Sequence, residues 1–317
     1  MTRIYILCPD FNKPSGGIRK LYHYADHLNS WGYDAFIVHS QPGFSCTWFE
    51  HDTKIAYSKD VNFTLRDILA VPEVASHLIF ELPKGIRKII INQNAYNTLG
   101  GFMPSNYGDP YLHEDVIAVL VHSQHDLEYL TYLYPSLKIC RMYCGIDDQF
   151  FKFSPNKLNQ IAYMPRKYEV GAQQLINLLN IRKVLDGFRV RKIENSSLEE
   201  TAQIMRDSLI FLSFSSYEGF GLPPIEALSC GCIVIGFYGN GGKEYLRSEF
   251  SYPIEYGDLL NFALTIQDVI TTYRKYPNSL SNKAKEAAKF VHSNYSLAIE
   301  KETELNFWRS IQNPYQS

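Results

Sequence analysis

Short, unbroken apolar runs alternate along this chain with longer stretches in which apolar residues recur at i, i+3 and i+4. The runs suit strands buried on both faces, and the longer stretches suit helices packed on one face. Residues 4–8 read as the first strand, followed by a loop over 9–15. A helix after Gly16 and Gly17 has Ile18, Leu21, Tyr22, Ala25 and Leu28 on its apolar side. Gly32 stops it, and residues 33–38 give the next strand. Residues 88–92, 116–121 and 138–143 continue the series, with Ser123 as the N-cap of the helix between the last two. Residues 40–77 carry no clear period, and the aromatic stretch 44–50 is expected as a loop over a cleft.

From Pro155 the pattern restarts, which places a linker at 148–158. Strands follow at 161–164, 188–193, 209–214 and 232–235. The run Ser196-Ser197-Leu198-Glu199-Glu200 offers a capping-box start to a helix. Further helices are expected from Gly257-Asp258 to about Tyr273 and over 281–291. A terminal helix carries Ile299, Leu305, Phe307, Trp308 and Ile311. Two such series, each of a size typical of one domain, predict two doubly wound α/β domains, 1–154 and 155–317.

Candidate chemistry gathers at 218–226, Glu218-Gly219-Phe220-Gly221-Leu222-Pro223-Pro224-Ile225-Glu226. Glu218 is expected in the loop after the strand 209–214, where ligands sit in open α/β sheets. A short helix over 225–229, stopped by Gly231, puts Glu226 in a first turn, with Pro223 or Pro224 at the first helical position. Carboxylates accept from sugar or ribose hydroxyls, and backbone N–H groups suit phosphate or ring oxygens. Taken singly, the glycines are also ordinary turn residues, and a first-turn Glu complements the helix dipole. Arg166 and Lys167, after the strand 161–164, supply cations for a diphosphate. Gly17, at a helix N-terminus, offers a second place for phosphate. Residues 237–244 are not a P-loop, since Lys243 is not followed by Ser or Thr, and they read as a flexible turn.

Composition narrows the alternatives. The 317 residues have a net charge of −2 with basic residues scattered, which gives no footprint for nucleic acid. The six cysteines form no pair of C-x-x-C units, so no zinc site is expected. No leader is expected ahead of Ile4, and the longest apolar runs fall far short of the ~20 residues that span a bilayer. A protein of the reducing cytoplasm, peripheral to a membrane at most, is the expectation.

The stretch from Glu218 through Glu226, continuing Ala227-Leu228-Ser229-Cys230-Gly231-Cys232-Ile233-Val234, resembles the E-x7-E signature of retaining GT-B glycosyltransferases of family four, the glycosyl transferases group 1. The resemblance is strongest over 205–247. It implies two Rossmann-like domains facing across a cleft, with the last helix crossing back to the first. It further implies a metal-independent, hexosyltransferase-like enzyme that needs no cofactor and uses a UDP- or GDP-sugar as donor. The acceptor would be a carbohydrate, a lipid-linked species or a small molecule. Glu218 would be the catalytic-site residue at the donor sugar, together with Gly219, Phe220, Gly221 and Leu222. Glu226 would hold the ribose, and Gly17, Arg166 and Lys167 the diphosphate. The turn 192–195 lies where the family reads the donor base.

Three places in the chain depart from the family pattern. Asn92, Gln93 and Asn94 stand where a His contacts the donor sugar, Cys144 stands where Asn is usual, and Gly171 stands where the family has a Lys, with Lys167 as its substitute. Two other readings stay open, the first favoured by Asn92–Asn94 and the missing Lys, the second by a catalytic base in the first domain. One is a degenerate GT-B subunit that binds nucleotide or a partner without turnover. The other is a different GT-B activity, such as a nucleotide-sugar epimerase or an inverting transferase.

Overall fold

The computed structural model describes residues 2–100, 108–165 and 167–312. The first series of apolar runs becomes β1 (Arg3–Leu7), β2 (Asp34–His39), β3 (Ile55–Tyr57), β4 (Ile68–Pro72), β5 (Arg87–Asn92), β6 (Val116–Val121) and β7 (Ile139–Arg141). These form a 7-stranded sheet in the order β3-β2-β1-β4-β5-β6-β7, parallel throughout. The helices among them are α1 (Gly16–Ser30), α2 (Ala95–Gly100) and α3 (Gln124–Leu133). Both faces are covered: Ile4, Ile6, Ile89 and Ile91 enter one buried cluster, while Tyr5 and Ile90 enter clusters on the other side. That two-sided burial is why the strands read as continuous apolar runs rather than alternating ones.

The second series gives β8 (Leu158–Tyr163), β9 (Arg189–Lys192), β10 (Ser208–Glu218), β11 (Ile233–Asn240) and β12 (Tyr252–Ile254), parallel in the order β12-β11-β10-β8-β9. Its helices are α4 (Glu169–Ile181), α5 (Leu198–Asp207), α6 (Leu222–Ser229), α7 (Leu259–Lys275) and α8 (Pro277–Asn294), and α9 (Leu297–Gln312) ends the described chain. The expected capping box is present: the Glu200 N–H donates to the Ser197 hydroxyl at 3.2 Å, and the Ser197 N–H donates to the Glu200 carboxylate at 2.9 Å. Ser123 likewise caps α3, accepting from the Asp126 N–H at 3.0 Å.

Two parallel-sheet α/β units therefore exist, but they do not divide at 154 and 155. One unit is Met1–Tyr143 with Lys301–Ser317, and the other is Cys144–Glu300. The expected linker at 148–158 is bound into the second unit. Ile146 bridges Ser296, the Ser229 hydroxyl donates to the Phe151 carbonyl, and the Ser154 N–H donates to the Cys230 carbonyl at 3.1 Å. The helix α9 starts in the second unit, and its residues from Lys301 belong to the first, where Phe307, Trp308 and Ile311 join the core beside Ile18 and Leu21.

Residues 40–77 hide two strands. β4 is buried along its whole length between β1 and β5. Phe44, Trp48 and Phe49, expected in a loop over a cleft, pack instead against the core of the first unit. All six cysteines are free thiols. Among the described residues, no helix is long and apolar enough to cross a membrane.

Each sheet has one place where successive crossovers leave in opposite directions. In the first it lies between β1 and β4, and in the second between β8 and β10. A crevice opens outside the carboxyl ends of the strands at such a point, because the connections there diverge.

Trp308 is 1% exposed, so Trp308→Ala removes a buried indole from the core of the first unit. The expected loss is about 3–5 kcal/mol, measured by urea denaturation. A loss below about 1 kcal/mol would show that α9 is not part of that core.

Candidate functional site

The strand β10 ends on Glu218, so this carboxylate closes the strand rather than lying in the following loop. Between Ser215 and Glu218 the pairing of β10 with β11 shifts register, and Tyr217 adopts φ +48°. Positive φ is costly for an aromatic residue and collects at sites that re-aim a side chain. Here the irregularity turns the strand end at the crevice between β10 and β8.

Across that crevice, Lys167 follows β8. Its Nζ lies 2.8 Å from Glu218 Oε2, with side-chain exposures of 34% and 23%. Gly171, where the resemblance implies a Lys, is buried in α4, and a Cβ there would stand 1.8 Å from the Tyr168 ring. That ring packs in turn on Phe214, Phe237 and Tyr256. A side chain at 171 has no room, and among the described residues Lys167 is a cation that reaches the strand end. Arg166, expected beside it, lies outside the described residues.

The turn after Glu218 is fixed by a backbone contact. A Cβ on Gly241 would stand 1.7 Å from the Gly219 carbonyl oxygen, so only glycine fits there. Tyr245, fully buried, places its hydroxyl 2.8 Å from the Phe220 carbonyl and 2.5 Å from the Gly221 carbonyl. Burial, with the Glu218 and Glu244 carboxylates nearby, holds this phenol well above its usual pKa, so it stays a donor. The Phe220 ring lies against Tyr245 and Tyr295, and the Tyr295 hydroxyl donates to the Glu244 carboxylate at 2.9 Å. Gly241 and Gly242 are buried, so the expected flexible turn over 237–244 is instead the end of β11 and a packed 3-10 turn, Gly241–Glu244.

The helix α6 begins earlier than expected. Gly221, at φ +82°, is its N-cap, Leu222 its first residue, and Pro223 and Pro224 follow inside the first turn. Two prolines remove two of the N–H groups that a helix start normally offers, leaving those of Gly221 and Leu222. Glu226 consequently sits in the second turn, not the first, and is 6% exposed. A dipole contribution falls off within the first turn. A carboxylate this deeply placed persists where hydrogen-bond donors or cations meet it. The C-terminus of α6 is closed by Gly231, whose N–H donates to the Leu228 carbonyl at 2.9 Å, while the Cys232 N–H donates to Ala227 at 3.0 Å.

Beside β8, the turn after β9 is also ordered. The Ile193 N–H donates to the Tyr163 carbonyl at 2.9 Å, and Asn195 has φ +50°. Lys192 bridges Glu169 at 2.8 Å and Glu194 at 2.7 Å, which raises its pKa above the ordinary lysine value.

Gly17 belongs to the first unit, at the crevice between β1 and β4. Its carbonyl accepts from the Gln93 amide at 3.0 Å, and a Cβ on Gly17 would meet the Gln93 Oε1 at 2.4 Å. Gln93 in turn donates its backbone N–H to Glu73 at 3.1 Å, and Asn97 donates to the same carboxylate at 3.0 Å. Burial raises the pKa of Glu73, and these hydrogen bonds oppose the shift. Sequence reasoning missed Glu73. Its signal was its place directly after the short apolar run that is β4. Asn92 points away from such a role, its amide nitrogen donating to Thr98 and Tyr111, both at 2.7 Å. Thus the second unit brings Lys167 to Glu218 at the start of the turn Gly219–Leu222, with Glu226 buried in the second turn of α6, and the first holds Gly17 with Gln93 and Glu73.

Residues 172–287 match the family model of the glycosyl transferases group 1. An alpha-1,6-glucosyltransferase of Actinobacillus pleuropneumoniae is 26% identical over 194 residues, which are 58% of this chain and 57% of that protein. The chain thus spans little more than half the length of this curated relative. Among solved structures, a sucrose-phosphate synthase from Thermosynechococcus elongatus superposes with TM-score 0.72 at 12% identity, covering 99% of this chain and 100% of that one. HepE of Anabaena, solved in complex with UDP and glucose, gives TM-score 0.69 at 14% identity, covering 97% and 99%. A glycosyltransferase from Rickettsia africae gives TM-score 0.69 at 14% identity, covering 99% of each chain. At these identities the structural likeness shows the fold, two Rossmann-like units of the GT-B type.

Gly241→Ala is expected to destabilise the protein by about 1–3 kcal/mol, because the backbone of one turn must move away from the other. Urea denaturation measures it, and an unchanged midpoint would mean that the two turns are not locked.

Proposed function

We propose that this chain, whose second unit carries the glycosyl transferases group 1 domain within a GT-B fold, moves a sugar from a UDP- or GDP-sugar to an acceptor hydroxyl with retention of configuration. The observation that carries the reading is the meeting of Lys167 and Glu218 at 2.8 Å across the crevice between β8 and β10, with the buried Glu226 eight residues on. It is a cation for phosphate beside a carboxylate for hydroxyls, at the place where an open sheet admits a ligand.

In this reading Glu226 accepts from the ribose hydroxyls. Glu218 and the backbone of Gly219, Phe220, Gly221 and Leu222 face the sugar, and Lys167 meets the diphosphate. The bond from the anomeric carbon to the diphosphate oxygen breaks as the acceptor oxygen bonds to the same face. The acceptor's proton passes to the leaving diphosphate. Lys167 contributes by matching the negative charge that grows on that oxygen, an interaction stronger in the transition state than in the ground state. The ordered turn over 192–195 suits reading of the base through backbone groups.

A second reading, a nucleotide-binding subunit without turnover, draws on one feature. Asn92 and Gln93, at the position of the family's His, have their amides engaged within the first unit.

Glu226→Ala tests the ribose assignment. Calorimetric titration with UDP and GDP should show affinity for the preferred nucleotide reduced by at least about tenfold, the effect of losing about 1.5–3 kcal/mol of charged hydrogen bonding. Equal affinity in wild type and variant would remove Glu226 from the donor site.

A further inference from the structure

The contact between Lys167 and Glu218 has a consequence for the order of events at the site, and it rests on the transferase reading above. Lys167 cannot serve a diphosphate and neutralise Glu218 with full strength at the same time. Its Nζ lies 2.8 Å from Glu218 Oε2. Glu218 is held where it is by the strand end of β10 and by the locked turn behind it, including the Gly239 backbone, on which a Cβ would stand 3.0 Å from the Glu218 Cβ. Lys167 sits on the connection between β8 and α4. Of the two partners, the lysine is the one on a connecting segment and on the longer, more rotatable stem.

We propose that this ion pair is a donor-operated latch. Before a nucleotide binds, Lys167 pairs with the Glu218 carboxylate. The diphosphate of a nucleotide draws Lys167 away, and Glu218 is then left as an acceptor for the sugar hydroxyls. Nucleotide binding therefore carries the cost of opening the pair, and recognition of the sugar by Glu218 follows capture of the diphosphate. The cation enters from 167, next to the strand end, with α4 closed to a side chain at Gly171 by Tyr168. No covalent step is involved; the latch is an exchange of one anion for another on a single ammonium group.

A double-mutant cycle on binding of free UDP and GDP tests it, with affinities from calorimetric titration of the full chain. Glu218→Gln keeps the shape and removes the charge, so Lys167 is free before the nucleotide arrives. Partly exposed ion pairs of this kind predict that E218Q binds the preferred nucleotide about two- to fivefold tighter than wild type. In a Lys167→Met background the same E218Q change should leave affinity unchanged, since there is no latch to open. Equal or weaker binding by E218Q would overturn the latch. So would a tightening of the same size in both backgrounds, which would show plain repulsion between the carboxylate and the phosphates. Circular dichroism of each variant identifies any loss of fold, and Glu218→Ser is the substitute should E218Q misfold. Wild type that binds neither UDP nor GDP would overturn the transferase reading itself, and the latch with it.

Discussion

The second unit's site depends on two glycines pressed together. Gly241 lies so near the Gly219 carbonyl that no side chain fits between them, and this contact joins the ends of β10 and β11. Several features follow from it. β10 runs on to Glu218 through an irregularity at Tyr217, the turn at 219–221 is clamped by the buried Tyr245, and α6 starts at Leu222. That early start carries Glu226 into the second helical turn and below the surface. A looser junction would leave Glu218 on a mobile loop, where its distance to Lys167 would not be defined.

The two units apply one topological rule with different chemistry. Each sheet reverses the direction of its crossovers at one point, and each reversal is lined by residues from the two strands beside it. In the first unit these are Gly17 after β1, Glu73 after β4 and, one strand over, Gln93, linked by hydrogen bonds. In the second they are a cation and the carboxylate it faces. The second arrangement suits a ligand that presents both phosphate and hydroxyl groups, which is the character of a nucleoside-diphosphate sugar.

Much of this was legible in the residues, for physical reasons. Strands buried on both faces leave continuous apolar runs, so β1, β6 and β10 were readable, and the caps at Ser123 and Ser197 follow from local hydrogen bonding alone. β4 was not readable: its short apolar run is cut by Pro72 and lies among loops without period. The domain boundary was misplaced because 144–154 carries no period of its own and is tied to the second unit by contacts distant in sequence. The E-x7-E stretch pointed to the candidate site, but the reason for glycine at 171 and 241 is a tertiary contact that spacing cannot express. Lys167 as stand-in for a lysine at 171 came from its position at a strand end, and the structure adds the tyrosine ring that fills the space at Gly171 and the carboxylate that Lys167 meets.

The central claim is that this site holds an activated sugar and turns it over. Incubating the protein with UDP-sugars and GDP-sugars in the absence of acceptor, and measuring free nucleotide released by slow hydrolysis, tests it most directly. The account predicts release from one nucleotide class, with water in the place of the acceptor, and a lower rate for Glu218→Ala. Tight binding of the nucleotide-sugar with no release above the uncatalysed rate would contradict it and leave a binding subunit in its place.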